Sequence, residues 1–287
     1  MIELQINACK ASIIDALIDL LEEAGALSIT LMDEHDNPIL EPGPGETPLW
    51  QDMIIKALFE DADLAHVLLL THYPELTVLT HTIPQKDWER VCMTDFKPQR
   101  FGERLWICPT WHTPPEPNHV NLMLDPGLAF GTGAHQTTGL CLAWLEQASL
   151  ENKTLLDFGC GSGILALAAL KLGAKHVYAV DIDEQALIAT QSNAEINEIS
   201  QARLSISQPD NLHVKTDYIL ANILLTPLLA LKKTFHASLH PEGLLVVSGL
   251  LATQTEMLMQ TYEGYFTHEA THIKDEWALM IFKRIMH

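Results

Sequence analysis

Asp157-Phe158-Gly159-Cys160-Gly161-Ser162-Gly163 stands between an apolar run and a helical pattern, and few folds have a use for three alternating glycines there. Ahead of it, Thr154-Leu155-Leu156-Asp157 reads as a buried strand; behind it, residues 164–172 read as a helix. Glycine in such a turn lets the backbone approach a ligand closely. A second strand, Val177-Tyr178-Ala179-Val180, runs into Asp181, and residues 184–197 are again helical. Strand, glycine turn, helix, strand and acid in that order predict a parallel β-α-β unit with a ligand at its carboxyl end. The same residues also admit a purely structural reading, in which the glycines only tighten a turn and Asp181 caps the helix beginning near Asp183.

Beyond this unit, near-continuous apolar strands at 218–221 and 244–247 alternate with a helix from about Leu228. Strands of that kind belong to a parallel sheet covered on both faces. Residues 103–108 and 120–124 read as two further strands. The first part of the chain reads differently. Ile2, Leu4 and Ile6 alternate as in a half-buried strand, and Ile13, Ile14, Leu17, Leu20, Leu21 and Ala24 form a helical stripe with Ser12 as N-cap and Gly25 as stop. A strand at 27–32 and a turn at His35-Asp36-Asn37 lead to a third strand, Pro38-Ile39-Leu40. Thr47-Pro48 opens a broken helical stretch to about His72, and residues 77–83 close the unit as a strand. The order β-α-β-β-α-β is ferredoxin-like. The expected organisation is an α+β ferredoxin-like domain at 1–84, a connector at 85–97 and an α/β domain at 98–287.

Glycine spacing narrows the ligand. A dinucleotide turn needs Gly-x-Gly-x-x-Gly/Ala, and from Gly159 the third glycine comes one place early; the Gly-Lys-Ser/Thr ending of a P-loop is also missing. The pattern is similar instead to Asp/Glu-x-Gly-x-Gly-x-Gly, the first motif of class I methyltransferases, a Rossmann-like fold. That similarity implies S-adenosylmethionine as cofactor, with Gly159 and Gly161 letting the backbone approach it, Asp157 helping to hold its methionine end directly or through water, and Asp181 on the ribose hydroxyls, since one carboxylate accepts two hydrogen bonds from a diol.

More specific is Phe130-Gly131-Thr132-Gly133-Ala134-His135-Gln136-Thr137-Thr138, just before a helix, together with Ala221-Asn222-Ile223-Leu224 at a strand's carboxyl end. With Asp87-Trp88-Glu89-Arg90 and Arg100-Phe101-Gly102-Glu103-Arg104-Leu105-Trp106-Ile107-Cys108-Pro109, these residues make nearly the whole chain resemble the bacterial PrmA enzymes, methyltransferases of large-subunit ribosomal protein eleven. The resemblance implies that Thr138, Gly159, Asp181 and Asn222 contact the cofactor and that the N-terminal unit holds the substrate protein. It further implies that the N-terminal α-amine and lysine side chains of that protein are the acceptors. Asn222, at a strand's carboxyl end, is expected to orient the amine rather than deprotonate it, or else only to stabilise its turn. Thr137 and Thr138 could alternatively cap their helix, and His135 could serve as a base or as a structural residue.

Composition bounds the partners. A formal net charge of -20 disfavours nucleic acid, which normally meets a basic face, and favours a basic protein. The five cysteines include no Cys-x-x-Cys pair, so neither a disulfide framework nor a zinc ribbon is expected. His268-Glu269-Ala270-Thr271-His272 matches the zinc-protease pattern, but residues 266–273 read as a strand, where two such histidines lie about 13 Å apart; no metal is expected. No apolar run spans a membrane and the first residues lack a signal pattern, so the cytoplasm is the expected compartment. The rival readings are a class I methyltransferase of another protein, a small amine or RNA, and a non-catalytic ribosome-binding module.

Overall fold

The computed structural model of the chain describes residues 1–35, 49–83, 96–125, 135–211 and 214–286. Two units separate, Met1–Val91 and Cys92–His287.

In the first unit, β1 (Ile2–Lys10) buries Leu4 and Ile6, and α1 (Ile14–Glu23) buries Ile14, Leu17 and Leu21, three and four residues apart on one face. Then follow β2 (Ser28–Asp33), β3 (Asp52–Phe59), α2 (Asp63–His72) and β4 (Thr77–Thr82). The sheet order is β2-β3-β1-β4 with every neighbouring pair antiparallel, the β-α-β-β-α-β arrangement the sequence predicts.

Two local expectations fail. Residues 52–59 were expected within a helix, with the third strand at 38–40; instead they are the third strand, and the helix starts only at Asp63. Met53, Ile55, Ala57 and Phe59 are all buried between more exposed neighbours. Period-two burial suits a pleat, whereas a helix would send alternate residues to opposite sides. Pairing with both β1 and β2 makes β3 an interior strand, so tertiary context overrides the cap-and-proline signal at Thr47-Pro48. That dipeptide and residues 38–40 lie outside the described residues. Ser12 also does not cap α1: it sits inside a 3-10 turn, Ala11–Ile13, and α1 follows without a side-chain cap. Gly25 does end the helix, at φ +90°, with the Ala26 N–H reaching back to Leu21 O.

The second unit opens with β5 (Gln99–Phe101), β6 (Leu105–Pro109) and β7 (Val120–Leu124), a small sheet in which β6 and β7 are parallel and β5 and β7 are the outer strands. After α3 (Gln136–Gln147) the main sheet is built from β8 (Thr154–Phe158), α4 (Ile164–Lys171), β9 (His176–Val180), α5 (Glu184–Ile196), β10 (Leu204–Ser207), β11 (Thr216–Asn222), α6 (Leu225–Ala230), α7 (Lys232–Ser238), β12 (Leu239–Leu251), α8 (Thr255–Tyr262), β13 (Phe266–Lys274) and β14 (Trp277–Arg284). Its order is β10-β9-β8-β11-β12-β14-β13. The first five strands are parallel, and β14 runs antiparallel to β12 and β13. This is the expected Rossmann-like α/β domain.

Strand alternation feeds two cores. Leu155, Val177, Ala179 and Leu220 pack on one face with α3 and α4, while Leu156, Phe158, Val180 and Ile219 pack on the other with Leu228, Phe235 and Leu258. Residues 164–170 are all buried, as an all-apolar helix must be. The chain winds outward from β8 to β10, then crosses back to place β11 on the other side of β8. The crevice between the carboxyl ends of β8 and β11 is therefore the topological switch point, where open α/β sheets bind ligands.

Candidate active site

At that point β8 gives way to the glycine turn. Gly159, Gly161 and Gly163 all have positive φ, at +80°, +53° and +80°, so each glycine of the motif occupies a backbone region that other residues enter only with strain. The Gly159 and Cys160 N–H groups both donate to Val180 O, which ties the turn to the end of β9. No side chain fits at Gly159 without displacement: an ideal Cβ there would stand 2.4 Å from Ile223 Cγ2.

Asp157 is fully buried beneath α4. Its Oδ2 accepts the Ala166 N–H at 2.9 Å, one of the helix-start donors that lack an intrahelical partner. Its Oδ1 is buried with no hydrogen-bond partner among the described residues. Burial pushes the carboxyl up to about 7, against the pull of the Ala166 N–H and with help from the charge on Asp181. An unpartnered buried acceptor is costly by about 1–3 kcal/mol. It suits a ligand that brings an ammonium group, directly or through water.

Asp181 follows β9 and does not cap α5. The cap is Asp183, whose Oδ1 accepts the Gln185 N–H at 2.9 Å. Asp181 instead accepts from Gly161 N at 2.9 Å through Oδ2 and from Asp183 N at 3.1 Å through Oδ1, so its carboxylate lies against the glycine turn.

Across the switch point, the register pairs Ala221 of β11 with Phe158 of β8, which sets Asn222 level with Gly159. The Asn222 amide Nδ2 donates to Thr138 Oγ1 at 3.3 Å, bringing together two of the residues singled out in the sequence. Thr138 is buried in the first turn of α3 but does not cap it. His135 does: its Nδ1 accepts from Thr137 N and lies 2.8 Å from Thr137 Oγ1, and its ring meets Trp277 edge to face at 4.8 Å. His135 Nδ1 is thereby engaged in the cap. Phe130 and the glycines at 131 and 133 lie outside the described residues, as do connector residues 85–95.

Burial pushes the Cys160 and Cys141 thiols far above their usual range, so neither is a thiolate nucleophile near neutral pH. His268 and His272 lie in β13, as expected. Among the described residues, no helix is long and apolar enough to cross a membrane.

Sequence reasoning missed three residues that shape the site, Gly249, Thr190 and Asn193, and a fourth, Asn197, that lies beside them and bonds to Met123. Gly249 of β12, at φ +86°, lets that strand pass against Ile223, whose carbonyl oxygen would stand 2.4 Å from a Cβ. Thr190, Asn193 and Asn197 lie on the buried side of α5 and at its end, and Thr190 Oγ1 donates to Gly161 O at 3.0 Å. The signal was present: small polar residues falling at helical spacing among Ala186 and Ala194, which are buried.

The family described as ribosomal protein L11 methyltransferase (PrmA) matches residues 1–285 of the chain. Ribosomal protein L11 methyltransferase of Legionella pneumophila (strain Lens) is 56% identical over 283 residues, covering 98% of each chain. The protein of the same name from Nitrosococcus oceani is 47% identical over 278 residues, covering 94% of this chain and 95% of its own. Among solved structures, the ribosomal protein L11 methylase of Lactobacillus delbrueckii subsp. bulgaricus is similar at a TM-score of 0.61 and 33% identity, over 66% of this chain and 99% of its own.

Proposed function

The chain belongs to the ribosomal protein L11 methyltransferase (PrmA) family, and on that premise we propose that it transfers methyl groups from S-adenosylmethionine to the N-terminal α-amine and lysine side chains of L11. The observation that carries the reading at the level of the site is the Oδ1 of Asp157, buried before the glycine turn without a partner among the described residues, on the strand that pairs with β11, which ends at Asn222.

The residues fit the cofactor. Asp157 would take its ammonium, Asp181 its ribose diol, and the backbone of Gly159 and Gly161 its close approach, with Thr138 and Asn222 on the opposite wall. When bound, S-adenosylmethionine supplies an electrophilic methyl group on a sulfonium centre.

The remaining task for the protein is to present a neutral amine in line. A lysine ammonium ordinarily titrates near 10.4, so supplying it neutral at pH 7 costs about 4–5 kcal/mol, against about 1 kcal/mol for an α-amine. Exclusion of water and a neighbouring cation both lower an amine's pKa, and no dedicated base is needed. Asn222 spends its Nδ2 on Thr138, which leaves Oδ1 to accept an amine N–H and hold the lone pair on line.

The proposed division of labour runs along the chain: residues 1–84 hold the substrate protein, 85–97 connect, and 98–287 carry the reaction. The charge of -20 favours a basic protein over RNA, and a ribosomal substrate argues for the cytoplasm. The test is to incubate the enzyme and cofactor with purified L11 and with the other ribosomal proteins, then map added methyl groups by peptide mass spectrometry. Methylated α-amine and lysines on L11 are expected. Methylation confined to another protein, or to RNA, would overturn the substrate assignment.

A pH dependence follows from Asp157. Its carboxyl, raised to about 7, is protonated in the free protein below that pH, and an incoming ammonium favours the ionised form. Binding must then expel a proton. Cofactor affinity should rise by up to about tenfold per pH unit below 7 and level off above it, until the ligand's own ammonium is lost near about 8. Calorimetric titration with S-adenosylhomocysteine from pH 5.5 to 8 would show this; Asp157→Asn should flatten the rise, and a flat wild-type profile would refute the assignment. The same raised pKa makes the free protein lose stability as pH climbs from the unfolded value of about 4 toward 7.

A further inference from the structure

Two asparagines, Asn193 of α5 and Asn197 at its C-cap, hold the outer edge of β7 and the residue after it as a strand would. Asn193 Oδ1 accepts the Asp125 N–H at 2.9 Å, and its Nδ2 donates to Asp125 O at 3.2 Å. One helical turn later, Asn197 Oδ1 accepts the Met123 N–H at 2.9 Å, and its Nδ2 donates to Met123 O. Each amide thus meets both backbone groups of one residue, Met123 in β7 and Asp125 just past its end. The spacing explains why it works. Four residues of helix rise about 6.0 Å and two residues of strand about 6.6 Å, so an i, i+4 pair of amides matches an i, i+2 pair on a strand edge. Parity agrees: Leu124, between them, points its carbonyl the other way, to Thr110 N. An open strand edge is in this way paired by side chains.

The two asparagines differ in one bond. Asn193 Nδ2 also donates to Ser162 O, in the glycine turn, at 3.0 Å. Asn197 Nδ2 turns instead to Asn193 O, within its own helix, at 2.8 Å. Asn193 is 1% exposed and all its amide hydrogens and its oxygen are engaged. Its side chain touches both the turn between Gly161 and Gly163, at Ser162 O, and Asp125, the residue that follows β7.

We propose that Asn193 is a positioning residue for methyl transfer, locking the carboxyl end of β7 to the glycine turn so that the turn is preformed for the cofactor, while Asn197 performs the edge-pairing half of the task alone. The inference rests on the reading that the cofactor binds at that turn. Thr190 acts in parallel, its hydroxyl donating to Gly161 O at 3.0 Å.

The pair supplies its own control. Asn193→Ala removes two bonds to Asp125 and Asn197→Ala two bonds to Met123, and both should lower the unfolding midpoint. Only Asn193→Ala should raise the Kd for S-adenosylhomocysteine, by about tenfold or more, with Asn197→Ala staying within twofold. Thr190→Val, close in shape, should raise Kd without loosening β7. In the wild-type protein, hydrogen exchange gives a readout independent of any variant: cofactor binding should slow exchange at the Asp125 amide more than at the Met123 amide. Equal Kd for both asparagine variants, or equal protection of the two amides, would overturn the inference. Failure of the wild-type protein to bind S-adenosylhomocysteine would instead overturn the reading of the turn, which keeps the two failures apart.

Discussion

Asn222→Ala is expected to lower kcat by about a hundredfold at saturating cofactor and saturating L11, the scale of loss when a reacting group is misplaced by about an ångström. The amide stands at the carboxyl end of β11, level with Gly159 across the switch point, and its Nδ2 is committed to Thr138. Truncation removes the acceptor that would align the amine and leaves Thr138 without its partner. Because alignment matters most in the transition state, kcat should fall more than the KM for L11 rises. Asn222→Asp adds a discriminating case. It keeps an acceptor but introduces charge that would favour the protonated amine, so its activity should recover as pH rises. Stopped-flow or quenched-flow measurement of a single turnover would isolate the chemical step. Full activity of Asn222→Ala under these conditions would remove Asn222 from the reaction.

Gly159→Ala should weaken cofactor binding by roughly thirtyfold or more. Two costs combine. A non-glycine residue at φ +80° costs about 1–2 kcal/mol, and a methyl 2.4 Å from Ile223 Cγ2 forces repacking worth about 1–3 kcal/mol. Each 1.4 kcal/mol of this that falls on the binding-competent turn is about tenfold in Kd. The clash is with the residue that follows Asn222, so the substitution strains both walls of the site at once. Adding Ile223→Ala makes room for the new methyl group and should recover the steric share while leaving the backbone share, a coupling that a double-mutant cycle reads directly. Additive effects of the two substitutions would mean that the contact between Gly159 and Ile223 is not what the glycine is for.

Legibility followed the range of the interactions. The β-α-β unit around Gly159 was readable because its signals are local: an apolar run, glycines where φ is positive, and an acid at the next strand's end. Strand β3 was not, because the residues that decide it are its neighbours β1 and β2, far away in the chain, while the nearby Thr47-Pro48 pointed to helix. Ser12 failed for a related reason: a 3-10 turn intervenes before α1. At the site, Asp157, Gly159, Asp181, Asn222 and Thr138 were each nameable in the sequence, yet the hydrogen bond from Asn222 to Thr138 spans 84 residues and is a product of the fold. The choice of Asp183 over Asp181 as the cap of α5 could not be made from sequence, because two acids two places apart offer the same chemistry. Asn193 and Asn197 looked like ordinary polar residues of a helix until β7 was laid against them.

The central claim is that the methyl donor lies across the carboxyl ends of β8 and β11. A crystal structure of the protein with S-adenosylhomocysteine tests it most directly. The ligand's ammonium should reach Asp157 Oδ1, directly or through one water; its ribose diol should lie on Asp181; and its sulfur should lie on the Asn222 side of the crevice. A ligand bound elsewhere on the sheet, or one seated at the turn with Asp157 Oδ1 still unpartnered, would contradict the account.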